Sequence, residues 1–370
     1  MIRAFLIAGL SLATYLLQAQ IEAGFRPDEA RDLIALCNSF TFLKEVGSDE
    51  EIIPSSYRRT YDSRSIGMDN RFQVYRADKH AAIVIRGTTA NPSSWMANIY
   101  AAMIPAQGAI TVDGTPIPYR FAEDEKAAVH SGYALGVALM SQSVIGQILQ
   151  LNRDGIYDIL ITGHSQGGSL ATMLRAYLEN LPAGTIDDRN RFKTYAFAGP
   201  MVGNQAFATE YNYRFSRTQT SFSVVNPDDM VPNFPGGTGD GVNPINLFTG
   251  RSNSNDFRSM FVAALFQQFS DSLAVMANKM GATLLQQLRS SVGNIEMPDA
   301  LDSYQYTTTG TRIEIDPVYD IPVTAKDDGE SAYDPKSLQH KPYVYYRSIL
   351  IMYFPEEHKK LKRLVPPGVN

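Results

Sequence analysis

The strongest constraint on the fold lies in residues 158–180, whose sequence is DILITGHSQGGSLATMLRAYLEN. An apolar run of strand character, Asp158–Thr162, leads into the turn 163–167, GHSQG, and a helical pattern follows directly. Strand and helix approach closely at such a turn, so it needs glycine on both sides of the central residue. The pattern therefore predicts Ser165 at a strained strand-to-helix corner, with its hydroxyl above the end of a sheet.

Short apolar runs alternate with helical patterns along the chain. Runs that are apolar throughout are typical of strands buried on both faces, and alternation with helices is typical of a parallel sheet. Further strands are predicted at Ala81–Ile85, Tyr195–Ala198 and Phe222–Val225, and helices at 26–46, 126–152, 168–180 and 204–214. The predicted fold class is α/β, with a mostly parallel central sheet covered by helices on both faces. Ligands of such sheets bind outside the carboxyl ends of the strands.

Composition narrows the class of protein. The net charge is −5 and no basic run occurs, so no nucleic-acid partner is expected. Cys37 is the only cysteine, which excludes an intramolecular disulfide and a cysteine-based zinc site, and its helical spacing predicts a core thiol. Residues 20–370 are predicted to form one domain.

The first 19 residues have the layout of a secretory signal peptide. Arg3 precedes the uncharged run Ala4–Leu17, which is short for a membrane span, and Ala19 is a small residue suited to cleavage. Secretion or residence in the cell envelope is therefore predicted. The alternative is an amphiphilic first helix of the fold.

The serine motif has a specific chemical meaning in this context. A G-x-S-x-G sequence between a strand and a helix presents a nucleophilic serine, and the first N–H groups of the new helix point toward the same place. Ser165 is therefore the candidate nucleophile. A glycine-rich turn without chemistry is the alternative.

Several motifs together resemble the class 3, or fungal-type, lipase family of the α/β-hydrolase superfamily. The resemblance covers about residues 72–235 and a short piece near residue 340. The matching segments are IRGT at 85–88, SWMAN at 94–98, VHSGY at 129–133, the turn 163–167, GPMVGN at 199–204 with Phe207, and DDMVP at 228–232.

The resemblance implies a catalytic triad and an oxyanion hole. It implies Ser165 as nucleophile, Asp229 as acid, and the backbone N–H groups of Thr88 and Gln166 as oxyanion donors, with help from the Thr88 hydroxyl. It also implies that Trp95 belongs to a lid. The chain order Ser, Asp, His is the one that α/β-hydrolases use.

The acid and the base each have a rival. Asp228 directly precedes Asp229, which is favoured because Met-Val-Pro follows it. Of the five histidines, His340 is favoured as the base because it lies in a loop before an aromatic, strand-like run at 343–346. His358, in a charged tail, is the alternative; the other three are expected to point elsewhere or to be structural.

Two apolar segments favour a lipid ester as substrate. Residues 90–105 would form an apolar helical flap beside the oxyanion strand, and transient contact with a membrane or lipid surface is expected. Residues 257–289, within a helical insertion at about 250–300 between acid and base, would be a cap, an interfacial helix or core packing, the last being favoured.

The predicted function is that of a serine hydrolase of the triacylglycerol lipase type, with no metal and no cofactor. A phospholipase or a short-chain or feruloyl-type esterase on the same fold is the alternative. A lipid-binding hydrolase-fold protein without catalysis is less favoured. The oligomeric state stays open.

Overall fold

The computed structural model describes residues 21–39, 52–89, 91–235, 286, 288–289, 292–301, 305–321 and 338–362. The strands in these ranges are β1 (Arg58–Asp62), β2 (Phe72–Arg76), β3 (Ala81–Ile85), β4 (Met103–Pro105), β5 (Gln107–Val112), β6 (Thr115–Arg120), β7 (Ala128–His130), β8 (Asp158–His164), β9 (Arg191–Phe197), β10 (Gly203–Asn204), β11 (Ser221–Val225), β12 (Ile295–Glu296), β13 (Tyr306–Thr307) and β14 (Thr311–Glu314). The helices are α1 (Pro27–Asn38), α2 (Pro92–Ile99), α3 (Ser131–Arg153), α4 (Gln166–Leu178), α5 (Gln205–Tyr211), α6 (Pro342–Tyr353) and α7 (Pro355–His358).

The central sheet has seven strands in the order β1-β2-β3-β8-β9-β11-β14. From β3 to β14 every neighbouring pair is parallel, and the two pairs at one edge, β1-β2 and β2-β3, are antiparallel. The register aligns Ile85 with Gly163, so the carboxyl ends of β3 and β8 meet at one edge. Two small antiparallel sheets, β13-β10-β7-β4 and β12-β5-β6, lie outside the central one.

Helices cover both faces of the central sheet. Alternate residues of β3 divide between two apolar cores: Ala82 and Val84 pack with α1 and α6, whereas Ile83 and Ile85 pack with α3 and α4. Because β3 buries both of its faces, its sequence is apolar throughout rather than alternating. The predicted α/β fold class, with a mostly parallel sheet between helical layers, is confirmed.

Helix α3 combines length with an apolar composition that would suffice to cross a membrane. Most of its residues are buried against the sheet and α4, which makes it a core helix of this fold.

The predicted strands are all present, but several helix boundaries differ. Helix α1 ends at Asn38, well before the predicted end at residue 46, and Ser39 caps it. Helix α3 begins at Ser131 rather than at 126, because residues 128–130 pair as β7 with β4 and β10. Helix α4 already begins at Gln166, and a π-helical turn, Asn212–Ser216, follows α5.

One interpretation of the sequence was wrong. Residues 343–346 are not a strand but part of α6, which starts at Pro342. Proline suits the first turn of a helix, and α6 is buried between α1 and the sheet, so its buried residues give no helical amphipathic pattern.

Two predicted segments lie wholly or mainly outside the described residues. These are the signal peptide, 1–19, and residues 250–285 of the predicted helical insertion. Within the described remainder of the insertion, Leu288 is buried in the apolar core that includes α3 and α4, and Ile295–Glu296 pairs as β12 with β5.

Candidate active site

Ser165 lies at the corner between β8 and α4 in a backbone conformation that residues other than glycine rarely adopt. Its φ is 60° and its ψ is −131°. A hydrogen bond helps to hold this conformation, since the Ser165 N–H donates to the Phe197 carbonyl at 2.9 Å. A Cβ at Gly163 would lie 2.2 Å from the Gly167 oxygen, and one at Gly167 would lie 2.2 Å from the Ile85 oxygen. The strain expected from the sequence is thus present, and both glycines are required.

His340 links the serine to a carboxylate. Its Nε2 lies 3.0 Å from Ser165 Oγ, and its Nδ1 lies 2.8 Å from Asp229 Oδ2. A carboxylate only accepts hydrogen bonds, so Nδ1 carries the hydrogen and Nε2 of the neutral ring accepts from the serine hydroxyl. All three residues are buried. The structure therefore brings together Ser165, Asp229 and His340 in the order that a serine hydrolase requires.

Asp229 is the aspartate that faces His340. Its side chain is fully buried, and its Oδ1 accepts from the Val231 N–H at 2.9 Å. Asp228 is half-buried, its backbone N–H donates to Asn226 Oδ1, and its carboxylate accepts no hydrogen bond from a described residue. The turn after β11 thus directs only the second aspartate inward.

Tyr345 is a residue of this site that the sequence reasoning missed. Its hydroxyl accepts from the Asn226 N–H at 3.1 Å and donates to Asp229 Oδ2 at 2.8 Å. Burial, and then the charge of Asp229, raise the pKa of the Tyr345 hydroxyl well above its ordinary value, so it remains a donor. The aromatic run after His340 is the only sequence signal for Tyr345, and its composition favours a strand instead of the helix that the structure has.

The other histidines do not contact the serine hydroxyl. His358, in α7, has its Nε2 3.4 Å from Nη2 of Arg347 in α6, and His80 bonds the Tyr57 hydroxyl at 2.7 Å. His130 is buried and stacks on Tyr133.

His164 is the histidine that packs behind the base. Its ring centroid lies 4.8 Å from that of His340. Burial, with a smaller effect of His340, lowers the pKa of His164 well below its ordinary value. The His164 ring is therefore neutral and adds no charge beside His340.

The two residues predicted to supply the oxyanion donors lie in segments next to Ser165. Thr88 follows the end of β3, and Gln166 is the first residue of α4; neither N–H donates to a described residue. A Cβ at Gly87 would lie 3.6 Å from Ser165 Cβ, so this loop runs directly past the serine. The Thr88 hydroxyl, in contrast, donates to the Gln166 side-chain oxygen at 3.0 Å.

Trp95 lies on α2, and its side chain packs against the loop that carries Asp229. It is half-buried and packs against Val231, two residues after Asp229. The apolar residues expected to form a flap, namely Met96, Ile99, Tyr100 and Met103, are buried in the core. Within the described ranges, no group of three or more His, Cys, Asp or Glu side chains is placed to hold a metal ion.

Comparison with known proteins agrees with this geometry. Residues 82–238, which include Thr88, Ser165 and Asp229, match the model of the family described as Lipase (class 3). The predicted resemblance to the class 3 lipases is confirmed.

Two relatives of this chain are lipases by name. The chain is 35% identical over 79 residues to "Secreted mono- and diacylglycerol lipase 1" of Fusarium solani, and 34% identical over 80 residues to "Lipase ZK262.3" of Caenorhabditis elegans. Each alignment covers about a fifth of both proteins: 21% of this chain and of the first relative, and 22% and 21% for the second.

Solved lipase structures show more distant similarity. The triacylglyceride lipase of Rhizomucor miehei is 21% identical, with 58% of this chain and 77% of that one covered and a TM-score of 0.41. The lipase of Rhizopus microsporus var. chinensis is 18% identical, with 60% and 75% covered and the same TM-score of 0.41.

Proposed function

We propose that this class 3 lipase-like protein is a serine hydrolase that cleaves carboxylic esters of lipids through an acyl-enzyme. The observation that carries the proposal is the continuous hydrogen-bonded chain from Ser165 Oγ through His340 to Asp229. A serine hydroxyl is a weak nucleophile unless a positioned base takes its proton. That requirement is met within one buried group of side chains.

The reaction follows from the positions of these groups. His340 Nε2 takes the hydroxyl proton as Ser165 Oγ attacks the ester carbonyl, and Asp229 stabilises the imidazolium that forms. His340 then gives the proton to the departing alcohol, which leaves an acyl ester on Ser165. In the second step a water molecule attacks that ester, with His340 again as base, and the carboxylic acid is released.

The N–H groups of Thr88 and Gln166 are proposed to receive the negative oxygen of each tetrahedral intermediate. Loss of one donor of this kind typically costs about 2.7–4 kcal/mol of transition-state stabilisation. The N-terminal end of α4 adds a favourable dipole at the same place. No metal and no organic cofactor are required by this route.

The nucleophile is tested by labelling with a fluorophosphonate, which reacts with activated serines. The wild type should be labelled, Ser165→Ala should not, and Ser141→Ala should be labelled normally. Ser141 is the matched control because it is also buried, and its hydroxyl bonds only within α3. A wild type that resists labelling would favour the lipid-binding alternative without catalysis.

The substrate class is tested with p-nitrophenyl esters of increasing acyl length, together with mono-, di- and triacylglycerols and a phospholipid. We expect acylglycerol hydrolysis and a preference for longer acyl chains, because the matching family and the two named relatives are lipases. Preference for the phospholipid, or for short or feruloyl esters, would instead favour the alternative esterases on the same fold.

We further propose that the protein is exported and transiently contacts lipid surfaces. The support is the sequence of the first 19 residues and the name of the Fusarium solani relative, which is described as secreted. Expression in a secreting host should yield extracellular protein whose N-terminus lies near residue 20. Retention of an intact N-terminus inside the cell would contradict the export proposal.

A further inference from the structure

The side chain of Gln166 is the centre of a hydrogen-bonded group that the reaction above does not use. Its Oε1 lies 3.0 Å from Thr88 Oγ1, 3.3 Å from Ser94 Oγ and 3.5 Å from Asn98 Nδ2, and its Nε2 lies 3.4 Å from Asn70 Oδ1. We call these five residues the Gln166 cluster. All of them are buried except Asn98, which is half-buried.

The direction of the Thr88 bond follows from its partners. A carboxamide oxygen cannot donate, so the Thr88 hydroxyl is the donor in its contact with Gln166. Asn98 Nδ2 in turn donates to Thr88 Oγ1 at 2.9 Å, and the Tyr133 hydroxyl donates to Asn98 Oδ1 at 2.9 Å. A reversed Gln166 carboxamide would bring its own N–H groups toward those of Asn98.

The position of α2 is set independently of these side chains. The Gly132 N–H donates to the Tyr100 carbonyl at 3.0 Å, and the Ser131 N–H donates to the Ala102 carbonyl at 2.9 Å. A Cβ at Gly132 would lie 2.0 Å from the Ala97 oxygen, so α2 and α3 are in direct backbone contact. Ser94 and Asn98 therefore approach Gln166 from a helix that is itself held in place.

We infer that the Gln166 carboxamide is a positioning group that holds the two oxyanion donors at a set separation, and that the Thr88 hydroxyl acts through it. The hydroxyl has one hydrogen, and that hydrogen is used on Gln166. The inference rests on the proposed function. It differs from the expectation that the Thr88 hydroxyl helps the oxyanion directly, because only the two backbone N–H groups then contact the substrate oxygen.

The test is a double-mutant cycle with Thr88→Val and Gln166→Leu, which keep side-chain size and both backbone N–H groups. On dissolved p-nitrophenyl butyrate, each single variant should lower kcat about 10- to 100-fold with KM within about threefold, because misplaced donors weaken only the transition state. If Thr88 acts through Gln166, the double variant should be within about threefold of the weaker single variant.

The contrary outcome is equally defined. A hydroxyl that donates directly to the oxyanion would make the two losses multiply, and this would overturn the inference. Single variants that raise KM while leaving kcat unchanged would also overturn the inference. Gln205→Leu is the matched control, since Gln205 also begins a helix but is exposed, and its kinetics should equal those of the wild type.

Two further arms separate folding and chemistry from positioning. Gln166→Leu leaves the buried Thr88 and Ser94 hydroxyls without an acceptor and could therefore affect folding. The cycle is therefore repeated with Asn98→Ala in place of Gln166→Leu, because Asn98 belongs to the same cluster but lies on α2. The effects of Asn98→Ala and Thr88→Val on kcat should also be non-additive. Fluorophosphonate labelling of the wild type is measured in parallel. Unlabelled wild type would refute the proposed function, whereas labelled wild type with additive cycles would refute the positioning role alone.

Discussion

Replacing Asp229 by asparagine tests the proposed triad most sharply, because the neighbouring residue, Asp228, is a second aspartate that serves as a control. The Asp229 carboxylate accepts three hydrogen bonds, from the Val231 N–H, from His340 Nδ1 and from the Tyr345 hydroxyl, and its side chain is fully buried. Asparagine keeps the shape but exchanges one acceptor for a donor. It also removes the charge that stabilises the imidazolium.

Both orientations of the new amide are unfavourable. With its NH2 toward His340, the ring must accept at Nδ1 and carry its hydrogen on Nε2, where it can no longer take the Ser165 proton. With its NH2 toward the Val231 N–H, two donors face each other in a buried place, which costs about 1–3 kcal/mol. Loss of the correct tautomer in Ser-His-Asp triads lowers kcat by about 10⁴-fold, or about 5.5 kcal/mol.

The assay is kcat/KM for p-nitrophenyl butyrate, with thermal unfolding as a check on folding. We expect a loss of about 10⁴-fold for Asp229→Asn and a change of less than about twofold for Asp228→Asn, which alters a half-buried carboxylate outside the triad. If Asp229→Asn keeps more than about a tenth of the activity, or if both variants fall together, the reasoning about the acid is refuted.

Three other predictions concern the supports of the site. Tyr345→Phe removes a hydrogen bond to a buried charge, so we expect about 2 kcal/mol less stability in denaturant unfolding and a fall in kcat; an unchanged kcat would show that its hydroxyl does not orient the acid. Gly167→Ala places a Cβ 2.2 Å from a backbone oxygen, so the unfolding free energy of this variant should be about 3 kcal/mol lower than that of the wild type. Gly146→Ala, whose Cβ lies in open space on α3, is the control and should raise the unfolding free energy by about 0.5–1 kcal/mol. Burial lowers the pKa of His130 to about 3, so below pH 6.5 the unfolded chain binds a proton that the folded chain does not, and about 2 kcal/mol of stability is lost by pH 5. His130→Phe should flatten this loss between pH 7 and pH 5, and an equal slope in both proteins would contradict the assignment.

The features that could be predicted from the sequence are those with local physical causes. The strands β3, β8, β9 and β11 are buried on both faces and each contains an apolar run, so these runs can be identified from composition. The corner at Ser165 is equally local, because the glycines at 163 and 167 are required by contacts of 2.2 Å within the turn and with the end of β3. Since the strands are parallel, their carboxyl ends were expected at one edge, and the candidate residues follow those ends.

The features that escaped prediction depend on packing between distant parts of the chain. Helix α6 is buried against both α1 and the sheet, so its sequence lacks the amphipathic period that marks a helix, and the aromatic run 343–346 resembles a strand. The role of Tyr345 follows only once this run is helical and its hydroxyl meets the loop after β11. Likewise, the contact between His340 and Ser165 joins residues 175 positions apart, which no local pattern encodes.

The same close packing that demands glycine at position 167 also explains the location of the Gln166 side chain. Helix α4 starts so near to β3 that a methyl group at 167 would meet the Ile85 oxygen, and the preceding residue is therefore brought beside the loop that follows β3. Its carboxamide then bonds to Thr88, while its backbone N–H, next to Ser165 in the chain, donates to no described residue. A long side chain with a carbonyl can use this position to tie the two strand ends together, whereas an apolar residue of equal size would only fill it. Tight packing at the corner thus sets both the strain on the nucleophile and the spacing of the groups that would receive the oxyanion.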